Sequence, residues 1–391
     1  MMLGLLLARA GIEVAVLEKH ADFFRDFRGD TIHPSTLQIM DELGLLDGLL
    51  TIPHSEISVL SGRIGDEMLK IADFRDIPGR CKFIAFMPQW DFLTFLAGQA
   101  RRYPTFHLEM KTEAIDLLRD GGRITGVIAQ TPNGKVTINA DLTIAADGRT
   151  STLRNSANVQ IMDLGAPIDV LWLRLSKKPD DPGQTFGNIA PGGILVAIDR
   201  RDYYQCAFVI QKGGFTAIQA RGIEAFRETV ATLAPFLRDR VTEIEDWNDV
   251  KLLTVRVDRL KQWYLPGLLC IGDAAHAMSP IGGVGINLAI QDAVAAANIL
   301  AEPLRDRSVT TNDLRAVQRR RELPTRLTQA LQVQMQNRVV NRVLSTREKL
   351  ELPSLLRLLL RMRLFNRMLA RIVGFGFRRE HIRTPERPLS C

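Results

Sequence analysis

The residues whose types and spacing point to chemistry lie between Gly267 and Asp292, GLLCIGDAAHAMSPIGGVGINLAIQD. A short apolar strand, Leu268 to Ile271, runs into Gly272-Asp273, and a glycine-rich turn then opens an Ala-rich helix from Leu288 to Leu300. A strand that ends in Asp and meets a helix N-terminus is a seat for a polar or anionic ligand. The first-turn N–H groups have no intrahelical partner, and the helix dipole is positive there. Asp273 offers an acceptor carboxylate to a ligand hydroxyl, and Pro280 removes one donor and stiffens the approach. Gly282, Gly283 and Gly285 permit positive φ and let backbone come close to a flat ligand, while Asn287 is placed to cap or to bind. Glycine spacing alone leaves an ordinary βα turn with a capping Asp equally open.

A second strand–turn–helix lies about 120 residues earlier, LTIAADGRTSTLR from Leu142 to Arg154. Alone it reads as a Gly turn with Ser151 capping a helix. Together the two segments resemble the flavoprotein aromatic hydroxylases, the class A flavin monooxygenases with the p-hydroxybenzoate hydroxylase fold. That family carries GDAAH, a proline and Gly-x-x-Gly-x-Asn, filled here by Gly272 to His276, Pro280, Gly282, Gly285 and Asn287. Its D-G-x-x-S-x-x-R motif is filled by Asp147, Gly148, Ser151 and Arg154. The resemblance implies FAD as cofactor. It puts Asp273 on the ribityl chain, Pro280 beside the isoalloxazine, and the N–H groups of Ile286 and Asn287 toward the pyrimidine oxygen. A helix N-terminus there stabilises the negative charge of a reduced flavin. The Asp147-Gly148 segment would touch the pyrophosphate and affect the pyridine nucleotide. Gln89, at the start of an amphipathic helix, and Arg28 resemble a flavin-contacting Gln and an Arg facing the phosphates; for Arg28 a solvated charge is the alternative. His276 is expected to be structural rather than a base.

A dinucleotide fold opens with a strand, G-x-G-x-x-G, a helix, a second strand and an acidic residue. The chain shows the later parts: an apolar helix from Leu3 to Ala10, a strand from Glu13 to Leu17, then Glu18 and Lys19 where the adenosine ribose is held. Gly4 and Gly11 match the tail of the extended fingerprint, which places its third glycine just before Met1. The first strand and phosphate cradle, about 10–15 residues by the size of that unit, are expected upstream of Met1. The competing expectation is a chain that lacks the cradle. Leu3 to Ala8 is too short for a signal peptide.

These segments must be positioned by the rest of the chain. The expected architecture is α/β: a Rossmann-like cofactor-binding part (residues 1–54, 88–160 and 262–310), a mainly antiparallel sheet for the substrate (55–87 and 161–261) and a C-terminal helical region (311–391). Helices are expected over Pro34–Leu43, Trp90–Arg102 and Ile223–Leu237, and a β-meander over Phe106–Ala146 with turns at Gly121-Gly122 and Asn133-Gly134. Ile168–Leu175, Ile194–Ile198 and Tyr204–Gln211 are expected to be strands of a separate sheet. Alternation puts Val170, Trp172 and Arg174 on one side of the first of these and leucines on the other. Trp172, Arg174, Gln205 and Phe208 are the substrate candidates, with an ion pair equally open for Arg174.

The chain has 391 residues, 46% hydrophobic and 24% charged, enough for a large core. Its four cysteines are scattered without metal spacing, so neither a disulfide framework nor a metal site is expected, and the cytoplasm is the expected compartment. No run of 18 apolar residues predicts a span. The net charge of +7 accompanies no nucleic-acid motif. Arg357, Arg361, Arg363, Arg367 and Arg371 fall on one side of a predicted C-terminal helix, which suits either an anionic membrane surface or packing on the catalytic body. The resemblance implies a monooxygenase that uses NAD(P)H and O2, by way of a flavin C4a-hydroperoxide, on a small aromatic or polyketide-like substrate. Another FAD-dependent oxidoreduction and a non-catalytic binding role are the alternatives. No catalytic side chain is assigned.

Overall fold

The computed structural model describes residues 1–24, 31–65, 67–182, 185–190, 193–340, 343–344 and 354–387. Helix Met2–Arg9 is apolar on every side, and Met2 to Ala8 are all buried, as an all-round hydrophobic helix requires. It packs between helices Gln89–Ala100 and Gly285–Arg305. Strand Val14–Glu18 follows and pairs in parallel with Phe106–Met110, Val14 opposite Phe106. Gly4 sets the distance between this helix and these strands. A Cβ there would lie 2.7 Å from Val16 Cγ2 and 3.0 Å from the Phe106 ring, so only glycine admits the approach.

The expected meander is shorter than its sequence pattern. Only Glu113–Asp120, Arg123–Thr131 and Gly134–Asn139 form an antiparallel sheet. Its first turn is Gly121-Gly122, both at positive φ, and the second is Pro132-Asn133, bracketed by the Thr131–Gly134 pair. Phe106–Met110 leaves for the Val14 strand, and Thr143–Ala145 pairs in parallel with Leu268–Cys270. Alternation marks a strand but does not name its partner, and parallel partners are necessarily distant in sequence.

The second sheet has seven strands, in the order Lys251–Leu253, Ile168–Ser176, Tyr203–Gln211, Gly193–Asp199, Phe186–Ala190, Val59–Ile64 and Glu67–Asp73. The sequence pattern missed Phe186–Ala190, where Gly187 and Asn188 are poor strand formers. One face carries Leu171, Leu173 and Leu175, fully buried beneath helix Ile223–Leu233, each burial stabilising by about 2 kcal/mol. That helix ends at Leu233, and Pro235–Leu237 is a separate 3₁₀ turn. Phe208 lies on this leucine face, opposite Leu171 in register and edge-on to Phe226 at 5.4 Å. As a substrate candidate Phe208 is therefore corrected: residues 205 and 208 differ in parity, so a strand sends them to opposite faces, and Phe208 belongs to the core.

The C-terminal region is also not one continuous helix. Helices Ser354–Arg361 and Arg363–Phe375 are separated by an extended Met362 (φ −81, ψ 122), which breaks the predicted arginine line. The second packs Asn366, Ala370, Gly374 and Phe375 inward, in contact with strand Glu67–Asp73. Its outer side carries Leu364, 74% exposed, and Met368 beside Arg363, Arg367 and Arg371. Arg363 pairs with Asp76 at 3.0 Å and Arg357 with Glu67 at 3.4 Å. Segment Ile281–Arg305 is long and apolar enough by composition to cross a membrane, but 67% of its apolar window is buried inside the fold.

Two glycines at positive φ separate backbone strain from steric clash. Gly267 (φ +79) has Ile124 O where a Cβ would stand, at 1.9 Å, whereas Gly44 (φ +69) closes helix Pro34–Glu42 in open space. Gly44→Ala is expected to cost about 1–2 kcal/mol, and Gly267→Ala more than about 4 kcal/mol. Denaturant unfolding of the two variants checks this, and equal losses would contradict it.

Candidate active site

Parallel pairing of Thr143–Ala145 with Leu268–Cys270 places the two glycine turns side by side at the same strand ends. Arg149, between Gly148 and Ser151, reaches across to Asp273 at 3.3 Å. Arg154 is buried and donates to Asp258, to Ala274 O at 3.4 Å and to Arg149 O at 2.5 Å. Ser151 caps helix Thr152–Ser156, its Oγ accepting from Arg154 N at 3.0 Å, and the Asp147 carboxylate braces this cap by accepting from Ser151 Oγ and Leu153 N. Gly148 supplies the positive φ of 88° that the turn needs.

Asp273 is 30% exposed at the strand end. Beside it, Arg149 Nη1 is buried with no hydrogen-bond partner among the described residues. A carboxylate acceptor next to an unsatisfied guanidinium donor suits a polyol joined to phosphate. The first turn of helix Gly285–Arg305 has no side-chain cap, and its Gly285 and Ile286 are half-exposed. The turn before it carries Pro280 and two glycines at positive φ, Gly282 (+77°) and Gly283 (+61°). A ligand oxygen at these amides would be held by open donors and the positive helix end. The residues present thus fit the ribityl chain and the ring of FAD. Arg149 was not singled out from the sequence; a basic residue in a variable position of the Asp-Gly turn was the available signal.

The Asn287 side chain is a clamp. Its Oδ1 accepts from His33 N (2.9 Å) and Thr36 Oγ1 (2.8 Å), and its Nδ2 donates to Thr31 O (2.9 Å) and Gly283 O (3.1 Å). Both its polar side-chain atoms are thereby used on the segment Thr31–Thr36 and on Gly283 O, which leaves only its backbone for a ligand. His276 is 1% exposed, with Nε2 2.5 Å from Asp292 Oδ2 and its ring 4.8 Å from that of Trp263. Burial away from solvent suits a structural histidine. Gly272 N also donates to Asp292 Oδ2, at 3.1 Å.

The remaining candidates are placed as follows. Glu18 ends its strand and accepts from His20 N at 2.9 Å, and Lys19 pairs with Glu113 at 3.6 Å. Gln89 is the first residue of its helix and half-buried. Arg28 lies outside the described residues. Trp172 belongs to the apolar cluster of Val170, Val196, Ala207 and Val209 that also holds Ile281, the residue after Pro280. Gln205 shares this face, opposite Arg174 in register. Arg174 itself stacks over the Tyr203 ring at 3.9 Å and lines an open polar pocket of about 440 Å³ with Ser176, Glu243 and Lys251. It is thus at the outer rim, apart from the apolar patch.

His33 N-caps helix Pro34–Glu42, and its Nδ1 lies 2.7 Å from Val373 O in the C-terminal helix. Burial lowers its pKa from 6.5 to about 4, against smaller raising contributions from the carbonyls of Val373 and Gly282. A histidine depressed in the fold takes its proton first when unfolded. Its stabilising contribution is therefore complete above pH 6.5 and is lost as the pH falls toward 4. The expected loss is about 3 kcal/mol, and a His33→Gln variant should lose less Tm than the parent across that window. Parallel Tm–pH profiles would contradict this.

Comparison with known proteins agrees with this geometry. The sequence model described as FAD binding domain matches residues 1–330. The 6-methylpretetramide 4-monooxygenase of Streptomyces rimosus is 32% identical over 346 residues, 86% of this chain and 81% of that one. The 12-dehydrotetracycline 5-monooxygenase/anhydrotetracycline 6-monooxygenase of the same species is 25% identical over 75% of this chain, which spans 59% of its length. Among solved structures, PqsL, described as a probable FAD-dependent monooxygenase from Pseudomonas aeruginosa, shares the fold with a TM-score of 0.72 at 20% identity, over 88% of this chain and 93% of that one. Two facing glycine turns at parallel strand ends, an uncapped helix N-terminus and these relatives lead to one conclusion: the chain belongs to the FAD binding domain family, among its FAD-dependent aromatic monooxygenases.

Proposed function

We propose that this enzyme hydroxylates an electron-rich polycyclic aromatic, of the polyketide type named for its S. rimosus relative, with NAD(P)H and O2. The observation that carries this reading is the apolar cluster in which Trp172, Val170, Val196 and Val209 meet Ile281. It joins one face of the seven-stranded sheet to the turn proposed to hold the isoalloxazine, and a flat ring between them would be presented to the flavin. Residues 55–87 and 161–261 then form the substrate side, residues 1–54, 88–160 and 262–310 the cofactor side, and 311–391 the C-terminal helical region.

When bound, FAD supplies the redox chemistry, accepting reducing equivalents from NAD(P)H and delivering one atom of O2 to the ring. The chain's own residues bind and orient. Asp273 and Arg149 would hold the ribityl hydroxyls and the adjoining phosphate. The amides of Ile286 and Asn287 would hold the pyrimidine oxygen, and Pro280, Gly282 and Gly285 would let the backbone lie against the ring. Gln89 would contact the flavin from its helix start, Gly272 and Gly148 would shape the turns, and Glu18 would receive the ribose hydroxyls with Lys19 beside it. Asp147 would act on the pyrophosphate side through the turn that it braces. Val170, Val196 and Val209 exclude water from the reacting face, which favours transfer to the ring over loss of the oxidant to solvent. Trp172 offers an aromatic wall beside them.

Incubation of the purified protein with FAD, NADH or NADPH, ¹⁸O2 and a panel of polycyclic phenols tests the reaction. Substrate-dependent nicotinamide oxidation with label in a hydroxylated product is expected. Turnover that leaves every product unlabelled would replace hydroxylation by another flavin oxidoreduction. Asp273→Ala is expected to weaken FAD binding about 10-fold, the loss of one hydrogen bond to a charged acceptor, in a flavin fluorescence titration.

A further inference from the structure

The apolar face that meets Ile281 carries a buried amide whose orientation is fixed. Gln205 is 5% exposed on strand Tyr203–Gln211, beside Ile198 of strand Gly193–Asp199 in register. Arg200, two residues beyond Ile198 and therefore on the same face, sits at the turn between these strands and is itself 8% exposed. Its Nε and Nη2 both donate to Gln205 Oε1, each at 3.1 Å. A guanidinium has only donors, so the amide cannot be turned the other way without setting N–H against N–H. The amide nitrogen must then face away from Arg200. That nitrogen is buried and has no hydrogen-bond partner among the described residues. An unmade donor in such a place costs about 1–3 kcal/mol, a cost that an acceptor brought by a ligand removes. Asp91 is half-buried two residues after Gln89, and burial raises its pKa while the Arg200 charge opposes the rise. The pair therefore lies within electrostatic range of the helix start proposed to contact the flavin.

We propose that Arg200 locks the Gln205 amide so that its Nε2 donates to an acceptor oxygen, a carbonyl or phenolate, on the aromatic substrate. Arg200 is a positioning residue and acts only through Gln205. The site thus takes oxygenated polycyclic aromatics and discriminates against hydrocarbons of the same shape, because a site built around a buried donor rejects a ligand that leaves it unpaired. This inference rests on the aromatic site proposed above.

Equilibrium dialysis of the FAD-supplemented protein against 1,8-dihydroxyanthraquinone and against 9,10-dimethylanthracene tests it. The parent is expected to bind the quinone more tightly. Gln205→Glu keeps an acceptor for Arg200 but removes the donor, and Gln205→Met removes both. Each should weaken quinone binding about 10- to 100-fold while leaving the hydrocarbon within about twofold, and Gln205→Glu should keep the parental Tm. Arg200→Met should weaken the quinone as well, and adding it to Gln205→Met should weaken it no further. Parental quinone affinity in both Gln205 variants would overturn the inference alone. Additive losses in the double variant would overturn the role of Arg200. Failure of the parent to bind either ring would overturn the aromatic site itself, and this inference with it.

Discussion

A single buried carboxylate holds the cofactor turn in place. Asp292 is fully buried in helix Gly285–Arg305 and accepts from Gly272 N, His276 Nε2 and Arg321 Nε, the last at 2.9 Å. Burial alone pushes its pKa up, but His276 and Arg321 outweigh this and keep it below the usual carboxylate range. Removing an ion from water costs several kcal/mol, and only close opposite charge and full hydrogen bonding repay it. The arrangement therefore has one good geometry. Arg321 extends it, donating to Arg378 O and to Glu380, which also binds Arg320. The strand end that carries Asp273, two long helices and the C-terminal tail are thus fixed to one another through one charge network.

A second set of contacts ties this body to the seven-stranded sheet. Asn287 joins the cofactor turn to Thr31–Thr36, His33 joins that segment to the C-terminal helix at Val373, and the helix covers strand Glu67–Asp73. These links are polar and buried, so they specify distance as well as stabilise. They hold Ile281 against the sheet face of Trp172. The polar features of the sheet divide accordingly. Arg174 belongs to the wet rim, whereas Gln205 and Arg200 are enclosed.

The two glycine turns were legible in the sequence because their chemistry is local. Asp273, Pro280, Gly282 and Gly285 act through backbone φ, a missing donor and a helix end, and each of these is set within a few residues. Helix Met2–Arg9, the Gly121-Gly122 turn and the leucine face of Ile168–Ser176 were legible for the same reason, since periodicity and positive φ are short-range properties. FAD as the cofactor was implied by the resemblance of these two motifs to those of the flavoprotein aromatic hydroxylases, since glycine spacing alone left an ordinary βα turn open.

Partners across space were not legible. The sequence pattern marked Phe106–Met110 as a strand but not its parallel pairing with Val14–Glu18, and it put Phe208 on the ligand side when strand parity turns it into the core. It did not single out Arg149, whose guanidinium meets Asp273 only because two strands 125 residues apart lie in register. Nor did it show that Asn287 spends its side chain on Thr31 and His33, or that Arg200 orients Gln205. The sequence by itself determined the two strand–glycine turn–helix segments, because backbone conformation and helix ends are encoded residue by residue. Tertiary structure alone decided which side chains remain open to a ligand, because that depends on which donors and acceptors folding has already paired.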